Sequence, residues 1–379
     1  MADIIELDGS HGEGGGAILR QALALSMLTG KAFKITNIRK GRCNPGLAAQ
    51  HLACVEAAMN LCDAEVVGCY TGSTEVQFTP KEFKGGHHKI DIGTAGSITL
   101  LLQSLLLPSL FCGKRVSFQI TGGTDVKWSQ PFDYFKYVFL PQMNRYGTVE
   151  ANLFKRGYYP KGGGEVRVVI NGNYTANGIP TSVLLLEQKK ILQIRGVSHA
   201  SLDLEQAKVA ERQSESARMH LEKLNVPFRV EHQYSKSLST GSGITLWAVF
   251  GEDEIDQRNP VILGADSLGE RNKKTASDKL AGSENQGFLK AEVVGKEAAE
   301  NLIKAIESGA GVDAYLADQL VPFMALSGGL IKTSKVTEHV KSNIYVAEKF
   351  LDSKFEIKEN IISCEKKDNL LIQTGPSGT

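Results

Sequence analysis

The sequence predicts an α+β fold in which repeated strand–helix units pack as two layers, with a smaller α+β domain inserted. The first observation is that a short strand, a Gly/Ser/Thr-rich loop and an apolar helix follow one another three times before residue 144. The second is that this pattern stops between residues 186 and 309. Repeated units bury their apolar faces against one another. We therefore predict a repeat domain that carries the chemistry from 1–185 and 310–379, and an inserted α+β domain over 186–309.

The repeated units are predicted from strand alternation followed by helical periodicity. Strands at 4–7, 89–92 and 116–120 lead through polar loops into helices at 17–29, 98–110 and 131–143. Two more helices are expected late in the chain, over 312–320 and 337–350. Each predicted helix begins where a polar loop ends and apolar residues begin. The first backbone N–H groups of these helices have no partner within the helix, so several units expose such groups at the end where their helices begin.

The region 186–309 is predicted to contain strands at 191–198, 228–231, 244–250 and 261–263. Charged amphipathic helices are expected over 202–224 and 290–308, the second with one apolar face formed by Val294, Ala298, Leu302 and Ile306. A polar stretch at 266–286 has no functional interpretation. The polar tail after residue 366 is expected to fray.

The loop over residues 9–21, GSHGEGGGAILRQ, is the strongest functional signal in the first unit. A glycine loop between a strand and a helix exposes backbone N–H groups at the positive end of the helix dipole, which binds anions. Glu13 repels a phosphate there unless a cation lies between them. The loop therefore predicts a nucleotide triphosphate with a divalent metal, Mg²⁺ or Mn²⁺, on Glu13.

Two other interpretations of this loop remain open. Glycines after a strand often form only a tight turn. The spacing Gly12-x-Gly14-x-x-Ala17 also satisfies a loose dinucleotide fingerprint, which requires an acidic residue about 20 positions on. Residues 33–42 contain no acid, which argues against NAD and leaves NADP, with Arg39 or Arg42 on its extra phosphate.

Composition and charge narrow the function further. The 379 residues carry a net charge of +1, so no overall field attracts nucleic acid. Between Glu13 and Glu56, however, there are basic residues and no acidic one, which suits the end of a polyanion. A solvated basic face is the simpler alternative. No apolar run is long enough to cross a membrane, and no signal peptide is recognised. Six unpatterned cysteines favour reduced thiols and a cytoplasmic location.

Two of the eight histidines stand out by their context. His51 follows Gln50 at the first turn of a helix that Asn44-Pro45-Gly46 introduces. His339 opens the predicted helix 337–350. A helix N-terminus disfavours the imidazolium ion, so we expect a neutral ring at His339, as a nucleophile or base requires.

Eight segments occur in an order that resembles the RNA 3′-terminal phosphate cyclase family. They are GEGGGAILR (12–20), IRKGR (38–42), PGLAAQH (45–51), IGTAGS (92–97), GGT (122–124), GYYPKGGG (157–164), YLADQL (315–320) and HVKSN (339–343). The likeness runs from about residue 3 to 352 and is weakest in the inserted region. Residues 122–128 are similar to the archaeal branch. The resemblance implies three βαβαββ-type units with an inserted domain.

The family resemblance also implies an ATP-dependent reaction in three steps. A histidine takes AMP from ATP, AMP passes to an RNA 3′-phosphate, and the adjacent 2′-hydroxyl closes a 2′,3′-cyclic phosphate. The partners implied are ATP and an RNA with a 3′-phosphate end, while the physiological RNA and the oligomeric state stay open.

The same resemblance assigns roles by position. His339 matches the nucleophile, Glu13 the metal ligand, and His51 a group that orients the α-phosphate. The residues implied around the phosphates are Arg20, Arg39, Arg42 and Gln50. Those implied in the ATP pocket are Gln103, Pro131, Tyr315, Asp318 and Gln319, with Tyr315 suited to stacking on adenine. Ala49 departs from the basic residue of many relatives, which leaves one RNA-phosphate contact in doubt.

Two rival functions are carried forward. The family has a non-catalytic ribosome-assembly branch that lacks the nucleophile, and retention of His339 with Glu13 favours the enzyme. Transferases of the enolpyruvyl type use related repeats, but they need no histidine nucleophile and require a different set of basic residues.

Overall fold

The computed structural model describes residues 4–173, 181–269 and 289–365. Within these ranges the chain forms four sheets of four strands each. Three of the sheets belong to units with the same βαβαββ order, and the fourth lies inside the third unit. The predicted fold class, repeated units with an inserted α+β segment, is confirmed.

The first unit consists of β1 (Ile5–Asp8), α1 (Ala17–Thr29), β2 (Phe33–Thr36), α2 (Ala49–Cys62), β3 (Glu65–Val67) and β4 (Val76–Thr79). The second consists of β5 (Gly86–Asp91), α3 (Ile98–Phe111), β6 (Val116–Gly122), the short helices α4 (Phe132–Tyr134) and α5 (Leu140–Met143), β7 (Gly147–Lys155) and β8 (Gly164–Gly172). A π-helical turn, Phe135–Phe139, joins α4 to α5.

The third unit begins with β9 (Val183–Leu185) and resumes after the inserted segment. It continues through α8 (Ala314–Ser327), β14 (Gly329–Lys332), α9 (Glu338–Phe350), β15 (Phe355–Lys358) and β16 (Ile361–Cys364). The inserted segment contains β10 (Lys190–Ser201), α6 (Val209–Leu221), β11 (Phe228–Ser235), β12 (Ser242–Gly251), β13 (Ile262–Leu268) and α7 (Ala291–Glu307).

Each repeated sheet has the same strand order, which is β1-β2-β4-β3 in the first unit. The first two strands of each unit pair in parallel, and the remaining pairs are antiparallel. A parallel pair requires a crossover, which the intervening helix supplies. The loops that precede α1, α2, α3 and α9 therefore lie at the carboxyl ends of strands, where backbone N–H groups point outward.

The repeated units share one apolar core. Helices α1, α3, α8 and α9 pack against one another through fully buried side chains such as Leu23, Leu105, Leu320 and Val346. Burial of each such side chain contributes roughly 1.5–3 kcal/mol relative to exposure. Helix α1 ends at Gly30, which is left-handed at φ 70°. This packing fixes the helix N-termini that carry the loops.

The inserted segment has a smaller core of its own. Its sheet has the order β11-β10-β12-β13, and α6 and α7 cover one face. Ile194, Leu246, Leu263, Val294 and Leu302 are all buried in this cluster. A separate core favours treating residues 186–309 as an inserted domain, and that boundary remains our proposal.

Several predicted boundaries were wrong, and the helix predicted over 131–143 is interrupted by the π-helical turn Phe135–Phe139. Helix α6 begins at Val209 rather than 202, because residues 202–204 form a 3₁₀ turn and Lys208 is left-handed at φ 49°. Helix α8 begins at Ala314 rather than 312, because the Asp313 side chain accepts from the backbone N–H groups of Tyr315 and Leu316 and so caps the helix. The helix also continues to Ser327 rather than ending at 320. Residues 266–268 of the polar stretch belong to β13, and the remainder from 270 on, like the tail after 366, lies outside the described residues.

Candidate active site

The glycine loop after β1 meets the loop after β2 and the start of α9. The carboxylate of Glu13 forms an ion pair with Arg42, and the backbone N–H of Glu13 donates to Ser342 Oγ over 3.3 Å. Gly12 and Gly14 have left-handed backbone conformations, with φ of 61° and 63°, which residues other than glycine rarely adopt. The glycines thus let the loop turn back onto α9, and Glu13 lies at its mouth.

Arg20 lies beneath this loop, on the first turns of α1. Its side chain is buried, and its Nε donates to Gln103 Oε1 on α3 over 3.1 Å. A Cβ atom at Gly16 would collide with Arg20 Nη1 and with His51 Nε2, so the absent side chain leaves room for both groups. A buried guanidinium next to exposed backbone N–H groups is a strong anion site.

His51 is neutral in this site. Its Nδ1 accepts from the backbone N–H of Ala48 over 3.3 Å, which leaves the ring proton on Nε2. Burial lowers the pKa of His51 to about 3, and the positive charges of Arg20 and Arg39 add to the shift. The ring can therefore donate from Nε2 to a ligand that binds beside Arg20.

His339 is the second residue of α9, which Thr337 caps through its side chain. The pKa of His339 is lowered by burial and by the positive charges of Arg20 and Arg42. This direction agrees with the neutral ring expected from the sequence, and burial and the nearby arginines are causes that the sequence did not indicate. A neutral imidazole within the electrostatic influence of two cations combines a nucleophilic nitrogen with groups that attract phosphate.

A small cavity of about 30 Å³ lies behind Arg20, lined by Gln103 and Gln319 among others. Burial raises the pKa of Asp318, which also lines it, to about 8, with Arg20 opposing the shift and Asp313 reinforcing it. Asn343 Nδ2 donates to the Asp318 carbonyl over 2.8 Å, while Asn343 Oδ1 has no hydrogen-bond partner among the described residues. The volume suits about one water molecule, so a nucleotide that contacts these residues requires the cavity to widen.

The remaining predicted residues lie around the edge of this cluster. Arg39 is left-handed at φ 55° and its Nη1 donates to the Gly46 carbonyl over 2.8 Å. Gln50 Oε1 accepts from the backbone N–H of Ser97 over 3.1 Å, so it joins α2 to the loop before α3.

Tyr315 lies in the first turn of α8, and Pro131 precedes the first residue of α4. The Tyr315 side chain is 57% exposed, and its carbonyl accepts from Gln319 Nε2 over 3.0 Å and from Gln130 Nε2 over 3.4 Å. Pro131 is buried at the start of α4. The exposed Tyr315 ring is accessible to a flat ligand.

Two contributors to the site were missed from the sequence. Ser342 Oγ contacts the backbone of both His11 and Glu13, and the ring of Tyr345 stacks on His11 with centroids 4.1 Å apart. Both residues project from α9 onto the glycine loop. Their spacing within α9 indicates a shared helix face, but nothing local in the sequence identifies what that face contacts.

One cluster of metal-type ligand atoms occurs within residues 4–173, 181–269 and 289–365, and it does not include Glu13. Asp125, Asp133 and His199 bring their ligand atoms within 4.8 Å of one another. Arg156 forms ion pairs with both carboxylates, so part of their negative charge is already compensated by the protein. None of the helices in the described ranges is long and apolar enough to cross a membrane.

A neutral histidine, buried and exposed arginines and a glycine loop define an enzyme that handles phosphorylated substrates. The family model described as RNA 3′-terminal phosphate cyclase matches residues 11–357. Relatives of that name from Archaeoglobus fulgidus and Pyrococcus furiosus are 46% and 43% identical over 365 and 360 residues. These alignments cover 95% and 94% of this chain, and 100% and 96% of the relatives. The chain belongs to the RNA 3′-terminal phosphate cyclase family, and the predicted archaeal likeness is confirmed.

Proposed function

We propose that the protein is an ATP-dependent RNA 3′-terminal phosphate cyclase that works through a covalent histidine–AMP intermediate. The family membership supports the overall reaction. The mechanism is supported by the position of His339 at the start of α9 and by the lowering of its pKa through burial and the charges of Arg20 and Arg42. An uncharged imidazole nitrogen retains the lone pair that attack on phosphorus requires.

In the first step the His339 ring attacks the α-phosphorus of ATP. A P–N bond forms, the bond from the α-phosphorus to the bridging oxygen breaks, and pyrophosphate leaves with the bonding electrons. Arg20 and Arg42 balance the charge that develops on the phosphate oxygens, and His51 donates from Nε2 to the α-phosphate. The glycine loop supplies backbone N–H groups for the remaining phosphates.

In the second step an oxygen of the RNA 3′-phosphate attacks the phosphorus of the histidine–AMP adduct, and the P–N bond breaks. In the third step the adjacent 2′-hydroxyl attacks the RNA phosphorus, a P–O bond closes the five-membered ring, and AMP leaves. Arg39 and Gln50 are assigned to the RNA phosphate. Gln103, Pro131, Tyr315, Asp318 and Gln319 are assigned to the nucleotide.

Glu13 fits a divalent metal as a single protein ligand. Mg²⁺ commonly takes one or two carboxylates and fills the rest of its shell with water and phosphate oxygens. Glu13 is half-buried at the mouth of the loop, and Arg42 balances its charge. When bound, Mg²⁺ or Mn²⁺ would neutralise charge on the leaving pyrophosphate.

The test is incubation of the protein with α-labelled ATP and Mg²⁺ or Mn²⁺. We expect an acid-labile protein–AMP adduct that is lost in His339→Ala and retained in His232→Ala, a matched change at an exposed histidine of β11. An RNA with a 3′-phosphate should then become resistant to phosphatase. Wild-type protein that binds RNA and never acquires label would instead indicate the non-catalytic branch of the family.

A further inference from the structure

Trp128 has the most exposed of the large apolar side chains in the described residues, at 86%. It is also left-handed, at φ 67°, which is an uncommon conformation for a bulky residue. Strained backbone of this kind costs on the order of 1–3 kcal/mol and persists only where the surroundings impose it. The fold therefore holds an aromatic ring out in solvent at a cost.

The loop that carries Trp128 is fastened at both ends by buried groups. The guanidinium of Arg156 contacts Asp125 Oδ2 at 3.2 Å and Asp133 Oδ2 at 2.8 Å, and all three side chains are buried. Thr99 Oγ1 donates to the Gln130 carbonyl over 2.7 Å. The exposure of Trp128 is thus imposed by a rigid frame.

This loop borders the residues assigned to the nucleotide. Pro131 follows Trp128 by three positions, and Gln130 Nε2 reaches the Tyr315 carbonyl. The ammonium group of Lys127 lies 5.9 Å from the centre of the Trp128 ring. A ring and a cation at the edge of a phosphate site are the pair that single-stranded nucleic acid requires, the ring for a base and the cation for the backbone.

We propose that Trp128 is the stacking platform for an unpaired base near the 3′ end of the RNA substrate. This inference rests on the proposed function and names a binding residue for the second substrate. A polymer that continues into solvent suits the more exposed ring of Trp128, whereas ATP is assigned to Tyr315, which is 57% exposed, and to the partly buried Asp318. Base–aromatic stacking contributes about 1–3 kcal/mol per base without sequence preference.

The sequence provides a direct probe, because it contains only two tryptophans. Trp247 is buried and stacks on Tyr137 with ring centroids 4.5 Å apart. In Trp247→Phe protein the fluorescence therefore comes from Trp128. We expect a single-stranded oligoribonucleotide with a 3′-phosphate to quench that fluorescence to saturation in the absence of ATP.

Affinity is then measured by a method independent of fluorescence, such as filter binding of the labelled oligoribonucleotide. Trp128→Ala should weaken binding about 5- to 150-fold, the range that corresponds to loss of one stacked base. Trp128→Phe should retain most of the affinity. Phe154→Ala, a matched loss of an exposed aromatic ring on β7, should leave affinity unchanged.

Adduct formation from ATP separates this inference from the proposed function. We expect Trp128→Ala to form the His339–AMP adduct at the wild-type rate. Unchanged RNA affinity in Trp128→Ala would overturn the inference while leaving the cyclase activity intact. Quenching by ATP alone would assign the ring to the nucleotide and would overturn it as well. Failure of the proposed function is recognised separately, by wild-type protein that never acquires label.

Discussion

The carboxylate of Glu13 pairs with the guanidinium of Arg42 across the mouth of the glycine loop. The two residues come from different strand–helix connections of the first unit, and each has a separate role in the proposed reaction. A cation that binds to Glu13 competes with Arg42 for the same oxygens. Arg42 would then be free to turn toward phosphate, so we expect metal binding and phosphate binding to be coupled through this pair.

Replacement of Glu13 tests that coupling. In Glu13→Gln we expect the half-maximal Mg²⁺ concentration for adduct formation to rise about tenfold. The reason is that loss of one charged ligand weakens the free energy of metal binding by on the order of 1–2 kcal/mol. The measurement is the rate of labelling by ATP against metal concentration. Glu6→Gln, at an exposed position of β1, is the control. An unchanged metal requirement would remove Glu13 as a ligand.

The lowered pKa of His339 makes a prediction about pH. A free imidazole has a pKa of about 6.5, and the folded-state value lies below it. Protonation of the ring is therefore centred below pH 6.5, and protonation of His339 should cost less than half of the rate of adduct formation as the pH falls from about 8 to 6.5. Single-turnover labelling across this range measures it. A rate that halves near pH 6.5 and continues to fall would show that the ring is charged there.

Asp318, whose pKa burial raises to about 8, carries a proton at neutral pH. Above that value it ionises and draws Arg20 away from the phosphates. We expect wild-type affinity for ATP to weaken several-fold between about pH 7 and pH 9. Asp318→Asn imitates the protonated acid, so its affinity should match the wild type at pH 7 and remain constant above pH 8. Equilibrium dialysis with the nucleotide gives both curves, and parallel curves would contradict the assignment.

Removal of Arg156 should destabilise the protein. Arg156→Met leaves the buried carboxylates of Asp125 and Asp133 without their cation, a change that typically costs about 3–5 kcal/mol. Urea unfolding at neutral pH measures the loss. Arg167→Met on the outer face of β8 is the matched control and should stay within about 0.5 kcal/mol of the wild type. Equal stability of the two variants would show that the Arg156 pairs contribute little.

The sequence predicted the elements best where local signals and packing agree. Helix α1 was predicted over the same residues that it occupies, because apolar periodicity fills its interior and Gly30 ends it. The predicted helix over 202–224 was wrong at its start, because residues 202–204 form a 3₁₀ turn and an irregular loop follows before α6 begins. Local pattern does not reveal where the chain must turn to reach its sheet.

The candidate site was predictable as a set of residues and not as a set of contacts. The glycines, Arg20 and His339 carry chemical signals that are readable in isolation. The pairing of Glu13 with Arg42, the contact of Ser342 with the loop and the pKa of Asp318 all depend on tertiary packing. They arise between segments that are distant in sequence, which no local pattern encodes.

The interruption of the third unit has a consequence for how the chain assembles. Strand β9 pairs in parallel with β14, and the whole inserted segment lies between them in sequence. Pairing β9 with β14 closes a loop of n residues, and the entropic cost of that closure grows only as about (3/2)RT ln n. If the inserted segment has already folded, the flexible part of that loop is shorter and the cost is lower. During synthesis the first two units emerge with all their strands, whereas β9 has no partner until the chain reaches β14. The helix that carries His339 is synthesised later still, so the proposed nucleophile is added after the residues of the glycine loop that it faces in the proposed site.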